Sequence, residues 1–388
     1  MGTTTKFKHH SLTGRITSEL MAKAFKRVKR NKGAAGVDRV SIEQYEQNLG
    51  MNLAELMRLM KQRQRYNPKP NRRGWIPKTI SRRKNSPMRP LGIPGVRDRV
   101  AQEVVRQLLE PIFEPLFHPH SCGFRPERGC HTAIELVLQA KKAGLNIVVD
   151  ADIKGFFDNL PREVIMKAVC EQVADGNILE IIRKFLGAGV LEDGKLIDTT
   201  RGTPQGGVIS PLLANIVLNR LDWALEQAGF YFVRYADDFV ILCRTLPEAE
   251  KALALVRTLL AELGLTLSEE KTKITSFEQH FDFLGFTFKS NVVVMRQKAA
   301  EKFKEKIRNI TRRTNGKSLH EMTDELNTLM RGTVNYFAKP YTNTRQTFFV
   351  WDKWVRHRVR YWKFKRTALG FKPRRQTSRR WFERKGLV

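Results

Sequence analysis

A mixed α/β fold, of the α+β kind, is predicted by three observations. Short buried runs such as "NIVVDADI" alternate with helix-period segments through the middle of the chain. "FYFVRY" and "FVILCR" read as two strands of a hairpin on either side of Ala236-Asp237-Asp238. The first third and the last part carry longer amphipathic periods rich in lysine and arginine. With 388 residues, 41% of them hydrophobic, the chain can bury about two or three packed subdomains.

Taken in order, Ile42, Tyr45, Leu49, Leu53, Leu56 and Met60 recur at three- and four-residue spacing, so one helical face packs inward. That region ends at "RYNPKPNRRGWIPKTISRRKNSPMRPLGIP", where prolines forbid a continued helix; extended strands joined by a mobile basic loop are expected. A helix over about Arg97 to Phe117 follows, then the "NIVVDADI" strand, and then helices at Arg162 to Val173 and Pro211 to Gln227. After the hairpin come a helix (Pro247 to Leu263) and strands in "TKITSF", "DFLGFTF" and "NVVVM". From about Gln297 the chain is helical. It has no internal repeat and no low-complexity tract.

A formal net charge of +31 opposes compaction by self-repulsion, so folding does not explain it; a polyanionic partner does, and nucleic acid leads. A membrane surface comes second, because no apolar run approaches the roughly 18 to 20 residues of a spanning helix. Met1 to Leu20 also lacks a signal-peptide apolar core. A soluble, intracellular protein is expected, with reduced thiols, since Cys122, Cys130, Cys170 and Cys243 show no paired spacing. His118, His120, Cys122, Cys130 and His131 crowd one stretch, but without two short-spaced ligand pairs they read as a loop and not as a zinc site.

Asp237 and Asp238 are costly neighbours, because like charges between apolar strands raise each other's pKa unless a cation neutralises them. An Asp-Asp turn at a hairpin tip is also an ordinary structural choice. "NIVVDADIKGFFDNL" supplies further acids: Asp150 and Asp152 lie two apart, on one face of a strand. Three carboxylates from two strand ends can hold two Mg²⁺ ions roughly 4 Å apart for phosphoryl transfer. Asp158-Asn159 reads instead as a helix N-cap before Pro161. "RGTPQGGVISPLLANIVLNRLD" offers a glycine-lined backbone suited to a base pair, with Ser210-Pro211 as cap and first turn of the next helix. It is no dinucleotide fingerprint, and Leu196 after Gly194-Lys195 breaks the nearest phosphate loop. From Trp351 onward aromatic residues interleave with arginine and lysine, a mixture for phosphate contact and base stacking, or for a helix that buries its rings.

"RPLGIP", "SCGFRPERGCHTAI", "VDADIKGFFDNL", "GTPQGGVISPLLANIVLNRLD", "RYADDFVIL", "EEKTKI" and "FDFLGF" stand in the order of reverse transcriptase blocks. In wording they resemble the group II intron-encoded branch, over nearly the whole chain. The resemblance implies a right-hand polymerase with fingers, palm and a helical thumb. Its parts would be an N-terminal extension and start of the fingers (1–75), fingers and palm (76–296) and a thumb/maturase region (297–388).

It implies Asp152, Asp237 and Asp238 as the catalytic, metal-binding triad, the Ile153 carbonyl as a further metal contact, and Lys78 and Arg89 as cations gripping the triphosphate. Phe157, or else Phe156, would lie against the sugar and select deoxynucleotides; Gln205 and Gly206 would lie beneath the nascent base pair, and "FDFLGF" would form the primer grip. Arg356, Arg358, Arg360, Lys363, Lys365 and Arg366 would contact nucleic acid. "KGAAGVD" resembles the branch's N-terminal extension.

Three features depart from the family's usual pattern. The chain stops after the thumb, so the endonuclease domain of longer relatives is expected to be missing; the Lys78 to Arg89 spacing is longer than usual; and Cys122 stands where relatives often carry an aromatic residue. Implied partners are structured intron RNA, an RNA template with a DNA primer, target DNA and deoxynucleoside triphosphates, with two Mg²⁺ ions as cofactor and no membrane. Monomer and homodimer stay open. Alternatives are a relative domesticated for phage defence, CRISPR or repair, and a maturase that only binds RNA.

Overall fold

The computed structural model describes residues 8–77, 88–197, 202, 206–364 and 386–387. The chain divides into two units, 1–274 and 275–388.

The first unit begins with α1 (Ser18–Arg30), α2 (Ile42–Gln47) and α3 (Leu49–Lys61). Thr17 caps α1 by accepting from the Leu20 amide, and Ser41 with Gln44 forms a reciprocal capping box on α2. Ile42, Tyr45, Leu53, Leu56 and Met60 are buried as their spacing predicts and Leu49 is half-buried, yet the run is two helices: Asn48 leaves the helical region at φ −119°, ψ 39°. Next come β1 (Asn71–Pro77) and β2 (Met88–Ile93), an antiparallel pair in register from Arg72 opposite Ile93 to Pro77 opposite Met88. The basic loop expected between them falls outside the described residues.

The chain continues through α4 (Val96–Phe113), α5 (Cys130–Lys142), β3 (Ile147–Asp152), α6 (Phe156–Asn159), α7 (Arg162–Cys170), α8 (Gly176–Gly187), β4 (Val190–Glu192) and β5 (Lys195–Ile197). Then follow α9 (Ser210–Gln227), β6 (Tyr231–Tyr235), β7 (Asp238–Cys243), α10 (Leu246–Glu262) and β8 (Lys273–Ser276), which begins in this unit. One sheet has the order β2-β1-β4-β5 and the other β6-β7-β3-β8. The second is the core: β7 is buried from Phe239 to Cys243, and α5, α9 and α10 pack on its strands. A strand apolar on both faces belongs in the centre of a covered sheet.

Several boundaries differ from the sequence expectation. α4 stops at Phe113 because Pro115 follows in a separate short 3₁₀ turn. Asp158 and Asn159 do not cap α7; they sit inside α6, where the Asn159 amide donates to the Lys154 carbonyl at 2.9 Å, and Pro161 occupies the N-cap. Ser210 is already helical, with Ile209 at the N-cap of α9.

The second unit holds β9 (Phe281–Phe283), β10 (Phe286–Phe288) and β11 (Val293–Met295) in one antiparallel sheet, then α11 (Gln297–Ile310), α12 (Leu319–Phe337) and α13 (Arg345–Phe364). "DFLGFTF" is thus not one strand. Leu284 and Gly285 take positive φ (49° and 83°), as a two-residue hairpin turn of the primed kind requires, and fold it back on itself. Phe281 and Phe288 then face each other across the pair with ring centroids 4.8 Å apart. Phe303, Ile307, Met322, Leu326, Trp351, Val355 and Val359 make the three-helix core.

Candidate active site

Asp237 and Asp238 stand where the sequence places them, at the tip of the β6–β7 hairpin. Tyr235 pairs with Asp238, leaving Ala236 and Asp237 as a two-residue loop. Ala236 carries φ +60°, a conformation that ordinarily favours glycine. β3 lies antiparallel to β7 in a register that sets Asp152 opposite Asp238. Acids from two neighbouring strands therefore meet at one end of a buried sheet.

The electrostatics reflect this crowding. Asp237 is held above the usual carboxylate range, first by burial and then by the charge of Asp152, with Arg89 and Lys271 pulling the other way. The Lys271 ammonium lies 2.8 Å from Asp152 Oδ2, and Lys273 is 4.0 Å from Asp150 Oδ2. Carboxylate oxygens are the hard donors that magnesium takes, and their mutual repulsion is what a cation relieves. The donor set thus fits a divalent ion in kind and in charge. Among the described residues, however, no three His, Cys, Asp or Glu side chains are gathered as a metal cluster. In this conformation the Lys271 ammonium sits on Asp152 Oδ2 and offsets part of the local negative charge.

Sequence reasoning missed what holds the hairpin. Arg234, within the "RYADD" block, is completely buried. Its Nε donates to Asp222 Oδ1 at 2.7 Å, and its Nη1 donates to Asn215 Oδ1 and to the Ala236 carbonyl, both at 2.9 Å. One guanidinium thereby ties α9 to the turn that carries Asp237, through charge-assisted bonds in a low-dielectric interior. Backbone bonds from a second segment reinforce it: Cys122 N donates to the Arg234 carbonyl and Arg234 N to that of His120. Gly123 is needed there, since a Cβ would meet Ala236 N at 2.4 Å. The histidines of this stretch pack as rings, with His118 against Trp223 and Phe232 and His120 against Tyr231. Cys122 is buried among them.

The other expected residues distribute as follows. Arg89 lies on β2, within electrostatic reach of Asp237. Ile153 is buried and bridges Leu267. Phe156 is 2% exposed and belongs to the core, whereas Phe157 is half-buried, with the two rings edge to face at 5.2 Å. Gly206 has φ +115°, and a Cβ there would meet the Gly92 carbonyl of β2 at 2.7 Å. Lys78, Gln205, Lys365 and Arg366 lie outside the described residues. In the second unit Arg356 is committed to Asp352 at 2.9 Å, and Arg358 Nε donates to Thr311 Oγ1 at 2.6 Å. Arg360 is half-buried and Lys363 exposed on the same helix. Among the described residues no helix is long and apolar enough to cross a membrane.

Residues 76–288 match the family model for reverse transcriptases (RNA-dependent DNA polymerases), and residues 300–382 match the group II intron, maturase-specific domain. Protein YkfC of Escherichia coli K12 is 34% identical over 309 residues, which is 69% of this chain and 79% of YkfC. The group II intron-encoded protein LtrA of Lactococcus lactis subsp. cremoris is 36% identical over 209 residues, 54% of this chain but 33% of LtrA. A Candida albicans telomerase solved with a fragment of telomeric RNA overlays at a TM-score of 0.48 with 15% identity, over 82% of this chain and 62% of that one. At that score the family match, and not the overlay, carries the fold: fingers and palm in a mixed α/β arrangement, followed by a helical thumb-like region. The class is an RNA-directed DNA polymerase, which implies use of a divalent metal and a nucleic-acid template and primer. Within it, the chain belongs to the group II intron reverse transcriptase/maturase family.

Proposed function

We propose that this chain copies RNA into DNA from deoxynucleoside triphosphates, with Asp152, Asp237 and Asp238 as its acidic centre. The observation that carries this reading is the β3–β7 register, which sets Asp152 opposite Asp238 beside the half-buried Asp237. Two magnesium ions on those carboxylates and the Ile153 carbonyl would activate the primer 3′-hydroxyl and neutralise charge on the leaving pyrophosphate. Arg89 supplies a guanidinium to the triphosphate oxygens, with Lys78 as its companion. Phe157, the half-buried ring of the pair, forms the wall that leaves no room for a 2′-hydroxyl, and Phe156 supports it from the core. Gln205 and Gly206 underlie the nascent base pair, and the Gly92 carbonyl leaves no room for a Cβ on Gly206.

In this reading residues 1–75 extend the fingers, 76–296 complete fingers and palm, and 297–388 grip RNA and template–primer duplex. Arg356, Arg358, Arg360, Lys363, Lys365 and Arg366 supply cations for that grip. Binding of intron RNA would assist splicing, and copying at a DNA target would complete retrohoming, in the cytoplasm of a bacterial cell and as monomer or homodimer. The match to LtrA, a group II intron-encoded protein, supports this role.

Asp152→Asn is expected to abolish deoxynucleotide incorporation on an RNA template; unchanged incorporation would remove Asp152 from the centre. For the biological role, the RNA that copurifies with the protein expressed beside its native flanking DNA should be a single structured species bracketing the reading frame. A short noncoding RNA from a neighbouring locus would instead mark a domesticated enzyme with the same chemistry.

A further inference from the structure

In the second unit a cleft of about 600 Å³ opens between the segment after α11 and one face of α13. Volumes of about 300 to 1,000 Å³ are usual for sites that hold a small organic group. On α13, Trp354, His357, Arg358 and Tyr361 recur at three- and four-residue spacing and line one wall; Arg312 and Arg313 line the other. The aromatic residue Trp351 and the aliphatic Val355 and Val359 point instead into the core. Trp354 and Trp362 line the cleft while also packing against that core, so Tyr361 carries the exposed ring of the cleft.

The chemistry of the cleft is one-sided. Among the described residues no aspartate or glutamate lines it. The guanidiniums of Arg308 and Arg358 lie 5.9 and 5.7 Å from the Trp354 ring centroid. Arg358 is fixed by its bond to Thr311, and its pKa is depressed by burial and then by the charge of Arg308. Arg313 donates to the Tyr361 carbonyl and joins the two walls. Tyr361 is 41% exposed, and its ring meets His357 edge to face at 4.6 Å. Open aromatic surface beside like charges is relieved by a ligand that has both a flat π face and a phosphate.

We infer that this cleft binds one unpaired nucleotide of a single-stranded RNA, its base on the Tyr361 ring and its phosphate on Arg312 and Arg358. A base inside a duplex cannot enter, because pairing and stacking hide its face. The inference rests on the second unit being a nucleic-acid-binding region and deepens that reading to one site and one kind of ligand.

The test is fluorescence anisotropy of the full chain with labelled oligoadenylate RNA, the same sequence as DNA, and an RNA duplex of equal length. Tyr361→Leu is expected to weaken oligoadenylate binding about tenfold, the loss of one stacked base, with a much smaller effect on the duplex. Arg312→Gln, on an exposed segment outside the helical core, should weaken the same ligand in the same selective way; it keeps the test decisive if Tyr361→Leu melts early. Parallel loss on single strand and duplex, loss on DNA alone, or unchanged binding in Arg312→Gln would each overturn the cleft assignment. A wild-type protein that bound none of the three probes would overturn the broader reading on which the cleft depends.

Discussion

At the tip of the β6–β7 hairpin, carboxylates end strands whose other residues are almost wholly buried, whereas along α13 the charges ride on a helix with a single apolar side. The hairpin keeps its acids in place with an internal scaffold: Arg234, Asp222 and Asn215 are buried, and none of them faces solvent at the site. On the helix Arg356 pairs with Asp352 and Arg358 with Thr311, but the cations are spread over several turns and Lys363 is exposed. Concentrated negative charge is unfavourable until a cation arrives, so it must be held by force of structure. Dispersed positive charge binds phosphate from the surface and needs only solvation in the meantime. Single substitutions should therefore act sharply on the hairpin and by degrees on the helix.

The largest expected effect breaks the scaffold. Arg234→Leu leaves Asp222 buried without its partner, so the protein should lose about 3 to 5 kcal/mol of stability, read as a fall in the thermal midpoint. Replacing both, as Arg234→Met with Asp222→Leu, should restore much of that stability yet leave incorporation impaired, because the Ala236 carbonyl loses its donor. Wild-type melting in the single variant would show that the pair holds nothing.

A smaller effect lies away from the site, at the N-cap of α8. Burial works to raise the pKa of Asp175, but hydrogen bonds from Thr13, Asn177 and Ile178 outweigh it and hold the carboxyl below its ordinary value. A depressed folded pKa stabilises fully above the unfolded value of about 3.9 and is lost as pH falls through the lower folded one. Asp175→Ala should cost about 1 to 2 kcal/mol near neutrality, and the difference from wild type should shrink in acid. A deficit constant with pH would contradict this.

The smallest change concerns the helix. Lys363 is exposed, so Lys363→Gln should lower the slope of log affinity against log salt for single-stranded RNA by about 0.7. It should leave incorporation at saturating template unchanged. A tenfold loss with an unaltered slope would mean that Lys363 does something other than meet phosphate.

Most of the site was legible because its signals are local. Two acids between apolar runs, and two more on alternate residues of "VDAD", give strand ends and a shared face without any knowledge of pairing. Arg234 was not legible: an arginine in a strand reads as solvent-facing, and the partners that bury it lie 12 and 19 residues earlier on a helix that must first dock. The choice between Phe156 and Phe157 likewise depends on which ring the core takes. In the fold, the break at Asn48 and the turn at Leu284-Gly285 escaped because neither carries the Asn-Gly or proline signal that marks a reversal. Along α13, spacing alone could not tell buried rings from open ones, since that depends on where α11 and α12 pack.

The central claim is that the anionic tip performs the chemistry while the basic aromatic region binds RNA independently of it. The most direct measurement takes one preparation of Asp237→Asn, Asp238→Asn protein and reads deoxynucleotide incorporation on an RNA template beside oligoadenylate affinity. Incorporation should fall by about a thousandfold or more, with affinity as in the wild type. Retained incorporation, or joint loss of both in a protein that still melts normally, would contradict the account.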